Sequence, residues 1–422
     1  MHKRESLHAG HRRRATLALV IIECVLALGC RQDSARSPGS SSATGLHTRD
    51  KIVLRSKARS SMDAGTNLDS FVPMEMSSPV DADIPPPTEV SSDSSTERCA
   101  ESAIDQPPDD LECLGLYADM KTKRVADDVH EYRPSEQLWS DGADKTRWIY
   151  LPDGAKIDTS DPDEWSFPLG TKLFKEFRWK GRLAETRVFW KVRDRRWLRA
   201  SYRWNEEQTA ARRFEGGDVE VSGDTYHIPT AKECDQCHKG RTDNILGFEA
   251  VLLALPDATG YRLSDLLRDH RLSDVDKLEK LELGDDGTGH AATALPWLHV
   301  NCGVSCHNRN PASEAYKTML SFRLQVADLN GASTREVDAR TTSIDVRAVT
   351  PRWSGRTRVV PAAPDKSLAY FLASTRQPKM PRDQMPPIAT RVVPVDGAHL
   401  LEQWISSLAT NNVEADAGSQ VP

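Results

Sequence analysis

Two short segments that combine cysteine with histidine constrain this chain more than any other feature of its 422 residues. The first is Cys234-Asp235-Gln236-Cys237-His238, whose C-x-x-C-H pattern is the signature of c-type haem attachment. Two thiols at this spacing can each bond one vinyl-derived carbon on the same porphyrin edge, and the adjacent histidine then lies under the ring. The segment therefore predicts a covalently attached haem c on Cys234 and Cys237, with His238 as a ligand of the iron.

The second segment spans residues 302–307 and has the sequence CGVSCH, so three residues separate its cysteines. The wider gap is a less common variant of haem attachment, and the presence of the first segment supports this interpretation. It predicts a second haem c, bound through Cys302 and Cys306, with His307 as a ligand of the second iron.

A methionine-containing loop and a helix follow the second segment. A class I cytochrome c has a helix that carries the attachment motif, a loop whose methionine binds the iron, and a C-terminal helix packed across the first. Residues 399–408 have an apolar stripe at helical spacing, and Asp396 is placed to cap that helix. Met385, held by the following prolines, is the predicted distal ligand of the second haem. Met380 is its nearest competitor, and both are otherwise hydrophobic loop anchors.

The first haem has no obvious distal ligand in the sequence. An open or water-bound position is an equal alternative to any side chain, and it would be the place for small-molecule chemistry. The side chains left open are His227, His270, His290, His299 and Met319.

A zinc site is the rival metal interpretation. Cys234, Cys237, Cys302 and Cys306 are enough for a four-cysteine site. That interpretation leaves the two adjacent histidines unexplained, and zinc–thiolate sites are less usual in exported proteins. Haem is therefore the favoured cofactor.

The first thirty residues have the parts of a secretory signal. Three arginines at 12–14 precede a mostly apolar run over 15–28, and Gly29-Cys30 closes it. The end of this segment is similar to a bacterial lipoprotein box, in which Cys30 would carry a lipid and tether the protein to a membrane. We expect export to the periplasm or cell envelope, with an unlipidated linker as the alternative.

The chain is expected to fold as an α+β protein, with a Trp-rich antiparallel β domain before a mainly helical, cytochrome c-like haem region. Cys99 and Cys113 are expected to form a disulfide. The predicted segments are a signal peptide at 1–30, a disordered Ser/Pro/Asp-rich linker at 31–95, a β-rich domain at 96–230, a first haem segment with helices at 231–298, a cytochrome c-like domain at 299–410 and a flexible tail at 411–422.

Within the β-rich domain, strands are predicted at 172–179, 186–193 and 197–205, joined by short turns as a meander. Seven tryptophans fall in this region. They indicate either an aromatic platform for a planar ligand or the aromatic core of a sandwich-like domain, and their alternation favours the core. Helical spacing is found later at 244–255, 263–267 and 275–283.

From about Cys113 to Leu408 the chain resembles an uncharacterised family of exported di-haem c-type cytochromes, whose haem region is also found fused to quinoprotein sugar dehydrogenases. The three-residue gap in the second haem motif is the main departure. The resemblance implies haem and electron transfer, without a known substrate. It is carried by residues 114–117, 138–145, 147–149, 167–171, 185–187, 202–205, 234–238, 245–249, 299–302, 306–308, 384–387 and 404–405.

Electron transfer between periplasmic redox partners is the function that these features predict, and a quinoprotein dehydrogenase is a candidate donor. Two alternatives are a peroxidase-like enzyme with one open haem and a haem-bearing module that docks a sugar dehydrogenase. The formal net charge of −6 and the lack of a basic domain argue against a nucleic-acid partner.

Overall fold

The computed structural model describes Cys99 and residues 105–408, except 279, 330–333, 378 and 389. A large antiparallel sheet comes first and most of the helices follow it, which confirms the α+β class. The predictions made for residues 1–30, 31–95 and 411–422, with that for Cys30, lie outside the described residues. Within the described part, no helix combines the length and the apolar character needed to span a bilayer.

One seven-stranded antiparallel sheet and two hairpins organise the first half of the described chain. The strand order in the sheet is β11-β3-β4-β5-β6-β7-β8, while β1 pairs with β2 and β9 pairs with β10. The strands are β1 (Tyr117–Asp119), β2 (Arg124–Val125), β3 (Val129–Arg133), β4 (Asp144–Tyr150), β5 (Lys172–Trp179), β6 (Arg182–Arg193), β7 (Arg196–Trp204), β8 (Ala211–Phe214), β9 (Gly217–Val221), β10 (Asp224–Ile228) and β11 (Thr259–Gly260).

The predicted meander is confirmed in β5, β6 and β7. The turn between β5 and β6 places Lys180 and Gly181 at φ values of 49° and 80°, the conformation that matches the twist of a tight hairpin. β6 begins at Arg182 rather than at residue 186, because the hairpin pairs Trp179 directly with Arg182.

The sheet has a separate hydrophobic core on each face. On one face, Trp148, Phe174 and Trp204 pack with Leu111 and Tyr117 from the chain that precedes the sheet. The other face contributes to the largest core, which it shares with the helical region, and members of that core include Leu173, Phe189, Trp197, Phe248 and Trp404.

This arrangement corrects the expected sandwich-like domain, because the helical region and the small β9–β10 hairpin, rather than a second large sheet, pack on the second face. The core interpretation of the tryptophans is confirmed for Trp148, Trp165, Trp197 and Trp204, each of which is buried. The disulfide between Cys99 and Cys113 is also present.

Seven α-helices and several 3-10 turns follow in the described part of the chain. The helices are α1 (Ala231–His238), α2 (Ala250–Ala254), α3 (Leu263–Arg268), α4 (Ala291–Leu298), α5 (Asp338–Thr341), α6 (Leu368–Ala373) and α7 (Val395–Ser407). α4 continues without a break into a π-helical turn at His299–Gly303. The predicted boundary at residue 298 therefore lies inside one continuous helical run.

Two predicted helices differ from the structure. The helix expected at 244–255 is reduced to α2, because Asn244 and Gly247 have left-handed φ values of 61° and 86° that interrupt a helix. Residues 275–283 have turn and extended structure instead of the second predicted helix. Leu278 and Leu281 are buried, so the apolar spacing of this segment reflects the anchoring of a loop.

The C-terminal helix α7 packs across α4, the helix that leads into the second Cys/His segment. Gly397 of α7 faces the Trp297 ring so closely that a Cβ at this position would overlap it. Trp404 of α7 is fully buried and donates from its indole N–H to Asp286 at 2.9 Å. Asp396 lies in the first turn and Pro394 occupies the N-cap, which corrects the predicted Asp396 cap.

Candidate haem-binding site

The first Cys/His segment lies on α1, and its local sequence explains why a helix forms there. Thr230 accepts from the backbone N–H of Glu233 at 3.3 Å, and the Glu233 carboxylate accepts from the backbone N–H of Thr230 at 2.9 Å. This reciprocal capping box fixes the start of the helix. Cys234, Cys237 and His238 then fall at helical spacings of three and four residues, so they share one face.

The His238 ring is held in a defined orientation. Its Nδ1 lies 2.6 Å from the backbone carbonyl oxygen of Asn244, and its ring stacks on Phe189 with centroids 4.3 Å apart. Burial lowers the pKa of His238 to about 3, so the imidazole is neutral. A neutral ring that donates from Nδ1 to a carbonyl leaves the lone pair of Nε2 for a metal.

The left-handed turn at Asn244 brings this carbonyl to the histidine. Asn tolerates such a φ better than most residues, because its short polar side chain can bond locally. The left-handed conformation of Asn244, which interrupts the helix predicted at 244–255, therefore also orients His238.

A cavity of about 450 Å³ opens beside these residues, between α1 and the sheet. This volume is in the range of cofactor and ligand pockets. Aromatic and aliphatic side chains line most of it, together with several basic groups. Its lining includes Tyr132, Leu138, Trp139, Arg147, Leu173, Lys175, Trp179, Arg187, Phe189, Tyr226, His227, Cys234, Cys237, His238, Ile245, Leu246, Thr390, Arg391 and Val392.

These residues fit a covalently attached haem. Cys234 and Cys237 are free thiols, both line the cavity, and His238 lines it as well. The apolar lining suits a porphyrin face, and the basic groups suit carboxylates at its edge. Residue types, spacing and surroundings thus agree on one class of cofactor.

The second Cys/His segment lies at the end of the α4 run, and it differs in backbone form. The π-helical turn continues with the N–H of His307 bonded to the carbonyl of Cys302 at 2.8 Å. A π-type turn accommodates one more residue than an α-turn, which suits the wider cysteine gap. Gly303 abuts the backbone of residues 322 and 323, so a side chain at this position would overlap them.

His307 resembles His238 in its surroundings. Burial and, to a smaller extent, the positive charge of Arg358 together lower the pKa of His307 to about 4. Its Nδ1 lies 3.5 Å from Thr318 Oγ1, a hydroxyl that itself donates to the carbonyl of Ala315. The second segment therefore also presents a neutral, oriented imidazole.

The two segments pack directly against each other. A Cβ added to Gly240, two residues after His238, would overlap the carbonyl oxygen of Ser305. Lys239 forms an ion pair with Glu314 at 2.6 Å beside this contact. Cofactors attached to the two segments would therefore be neighbours.

The four thiols do not behave as activated nucleophiles. Burial raises the pKa of Cys237 to about 11 and the pKa of Cys302 and Cys306 to about 12, and it also raises the pKa of Cys234. Reactive cysteines need a lowered pKa. Within the described residues no group of three or more His, Cys, Asp and Glu side chains converges as metal ligands.

The loop that carries Met385 reaches the first cavity. The Met385 N–H donates to the carbonyl of Leu372 at 2.8 Å, and Gln384 binds the carbonyl of Thr390 at 3.0 Å. Thr390 and its two successors line the cavity, and Asp141 accepts from the backbone of Arg391 at 2.8 Å. Met385 is partly buried, whereas Met380 is 51% exposed. Met385 itself does not line the first cavity, and its role as ligand of the second haem stays a prediction.

The remaining candidate ligands of the first haem are unsuited to that role. His227 lines the cavity, but Asp218 and Glu233 engage its two nitrogens at 2.6 and 3.4 Å. His299 accepts from the N–H of Leu324 at 2.9 Å and donates to Glu249 at 2.8 Å, so neither nitrogen is left for a metal. His270, His290 and Met319 do not line the cavity, and Met319 is 76% exposed.

Sequence reasoning missed the basic side chains of the cavity. Arg147, Lys175 and Arg187 come from three adjacent strands and are direct cross-strand neighbours. A signal was present at Lys175, which lies between Leu173 and Phe177 on one face of its strand. It went unused because charged residues in strands ordinarily face solvent.

Comparisons with protein-family models, curated proteins and solved structures found no match to this chain. The candidate site is therefore supported by the residues and geometry of this chain alone.

Proposed function

We propose that this chain is an exported di-haem cytochrome c that passes electrons between redox proteins of the periplasm or cell envelope. One haem c is attached through Cys234 and Cys237, and the other through Cys302 and Cys306. A quinoprotein dehydrogenase is the proposed donor, and a second redox protein accepts the electrons. The observation that carries the proposal is the oriented, neutral His238 beside two free thiols at a cavity of about 450 Å³.

The chain's own residues hold and orient the cofactor in this proposal. A bound haem iron alternates between its ferrous and ferric states and so carries one electron at a time. The Asn244 carbonyl fixes the ring orientation of His238 and makes it a better electron donor to a metal. Phe189 covers one face of that ring and helps to keep water away.

Transfer between the two haems is supported by the contact of their attachment segments. The Gly240 backbone lies against the Ser305 carbonyl without an intervening side chain. Groups attached to Cys237 and Cys306 would share this contact region, so an electron would have a short path between them.

The haem count tests the proposal. Residues 31–422 are expressed behind an export signal in a host that attaches haem c, and the denatured mass is compared with the pyridine haemochrome spectrum. We expect two haems per chain in the parent protein and one in each double variant, C234A/C237A and C302A/C306A, because each pair of thiols holds its own haem. A chain without haem, from a host that matures a control cytochrome, would contradict the proposal.

A catalytic first haem is the second candidate function. It is favoured by the state of the five candidate distal ligands, because only His227 of these lines the cavity and carboxylates engage both of its nitrogens. The spectrum of the same sample separates the two functions. Two low-spin haems support the electron carrier, while one high-spin haem that binds cyanide supports an enzyme with an open position.

A further inference from the structure

Three basic side chains cross the cavity-facing side of the sheet in one line, and we call Arg147, Lys175 and Arg187 the cation row. β5 pairs Lys175 with Arg147 on one side and with Arg187 on the other, and all three line the cavity. Like charges directly opposite each other on neighbouring strands destabilise a sheet. A row of three positive charges therefore needs negative charge nearby to stabilise it.

The described residues compensate only part of this charge. Arg187 is paired with Glu185, which binds it through Nε at 2.9 Å. Arg147 is 4% exposed, and the only hydrogen bond of its side chain in the described structure is to the neutral amide of Gln137 at 2.6 Å. Lys175 has no carboxylate partner there, and its amine lies 5.4 Å from the centre of the Phe177 ring.

The two acidic residues that line the cavity are already engaged. Asp141 accepts from the backbone N–H groups of Arg391 and Val392, and Glu233 caps α1. Burial lowers the pKa of Lys175, and the charges of Arg147, Lys145 and Arg187 lower it further, as expected where positive charge is in excess. A buried charge without a partner is strongly destabilising, so an anion in this cavity would stabilise the row.

We propose that the cation row binds carboxylates, and that their source is the two propionates of the haem attached to Cys234 and Cys237. This inference rests on the proposed function, because it needs that haem to be present. The row lines the same cavity as Cys234, Cys237 and His238. Arginine and lysine in a partly dry site form short, strong hydrogen bonds with carboxylates.

The test uses the full chain loaded with haem and compares Lys175→Met with Lys175→Arg. Lys172→Met is the matched control, since Lys172 lies on the same strand but binds the Leu114 carbonyl on the opposite face. The midpoint potential of each haem is measured between pH 5 and 9. Loss of a cation favours the ferric form, so K175M should lower the potential of one haem and leave the other unchanged.

The pH dependence of the potential is a second readout. It distinguishes direct ion pairs with the propionates from a general electrostatic effect of the lost positive charge. In K175M the propionates should bind protons in the neutral range, which makes the potential of that haem depend more steeply on pH. K175R should restore the parental slope, and K172M should keep it.

Three outcomes would overturn the inference. An unchanged potential and slope in K175M would show that the row does not face the propionates. A saturable shift of the parental potential by added acetate would show that the row takes a free anion instead. A change of spin state in K175M would show that the amine binds iron. Because the haem count is measured first, two haems with any of these outcomes would leave the proposed function standing.

Discussion

At the scale of single residues, the sulfur of Met385 is the group whose role is most open to direct measurement. The backbone N–H of Met385 donates to the Leu372 carbonyl, and the Arg376 side chain donates to the carbonyl of Met385 at 3.3 Å. A thioether ligand stabilises ferrous iron and raises the potential. Replacing Met385 with Ala should therefore lower the potential of one haem and leave the other unchanged, as voltammetry on the haem-loaded protein would record.

Met380→Ala is the control for this prediction, because Met380 belongs to the same loop but is 51% exposed. If M385A leaves both potentials in place, Met385 is a loop anchor rather than a ligand. A shift that appears in M380A instead would transfer the assignment to that residue.

Residue-level prediction from sequence rests on spacing where chemistry dictates it, and it has no purchase where folding dictates the partners. Haem attachment would impose the spacing of Cys234, Cys237 and His238, so one segment is enough to predict these residues, and their role stays a prediction. The carbonyl of Asn244 and the side chain of Lys175 come from elsewhere in the chain. Only the fold brings them to the site, and no local pattern specifies them.

At the scale of elements, the contact between the two attachment segments depends on the absence of one methyl group. Gly240→Ala would place a Cβ against the Ser305 carbonyl. Overpacking of this kind typically costs about 1–3 kcal/mol. We expect G240A to lower the free energy of unfolding by that amount and to slow electron exchange between the haems, measured by denaturant titration and by flash-induced kinetics.

Gly355→Ala is the matched control, since a Cβ there meets nothing within 4 Å. Equal losses of stability in G240A and G355A would mean that the contact with Ser305 is not responsible. Slower electron exchange with unchanged stability would still place the electron-transfer path at this contact. No change in either the exchange rate or the stability would contradict a role of the contact in electron transfer.

Element-level prediction was best for strands whose pattern repeats. β5 was predicted to the residue, because alternation and flanking turns mark both ends. The helix predicted at 244–255 is longer than the observed one, because the left-handed turn that brings the Asn244 carbonyl to His238 interrupts it. The expected sandwich was wrong for a related reason, since an apolar strand face does not reveal whether a sheet or helices will cover it.

At the scale of the whole molecule, a buried ionic cluster joins the sheet region to the helical region. Glu249 pairs with Arg241 and with His299, and Arg323 pairs with Glu164. Burial alone would raise the pKa of Glu249, but Arg241 and the His299 hydrogen bond hold it well below its ordinary value of 4.5. Its contribution to stability is therefore complete above pH 4.5 and is lost progressively as the pH falls below that value.

Glu249→Gln should destabilise the protein by about 3–5 kcal/mol near neutral pH, because Arg241 loses its buried partner. The variant should also lose stability less steeply below pH 4.5, since the carboxylate that binds a proton on unfolding is gone. Denaturant titrations between pH 3 and 7 measure both effects. Glu206→Gln, in an exposed turn, is the control, and parallel pH profiles of E249Q and the parent would contradict the assignment.

The tight contact of Gly240 with Ser305 also bears on how the protein matures. Cys302 and Cys306 are partly buried beside this contact. In the proposed di-haem protein, an enzyme that attaches haem would need to reach both sulfur atoms before the two segments pack together. A chain that packs these segments first would then have to unfold locally before it could receive its second haem.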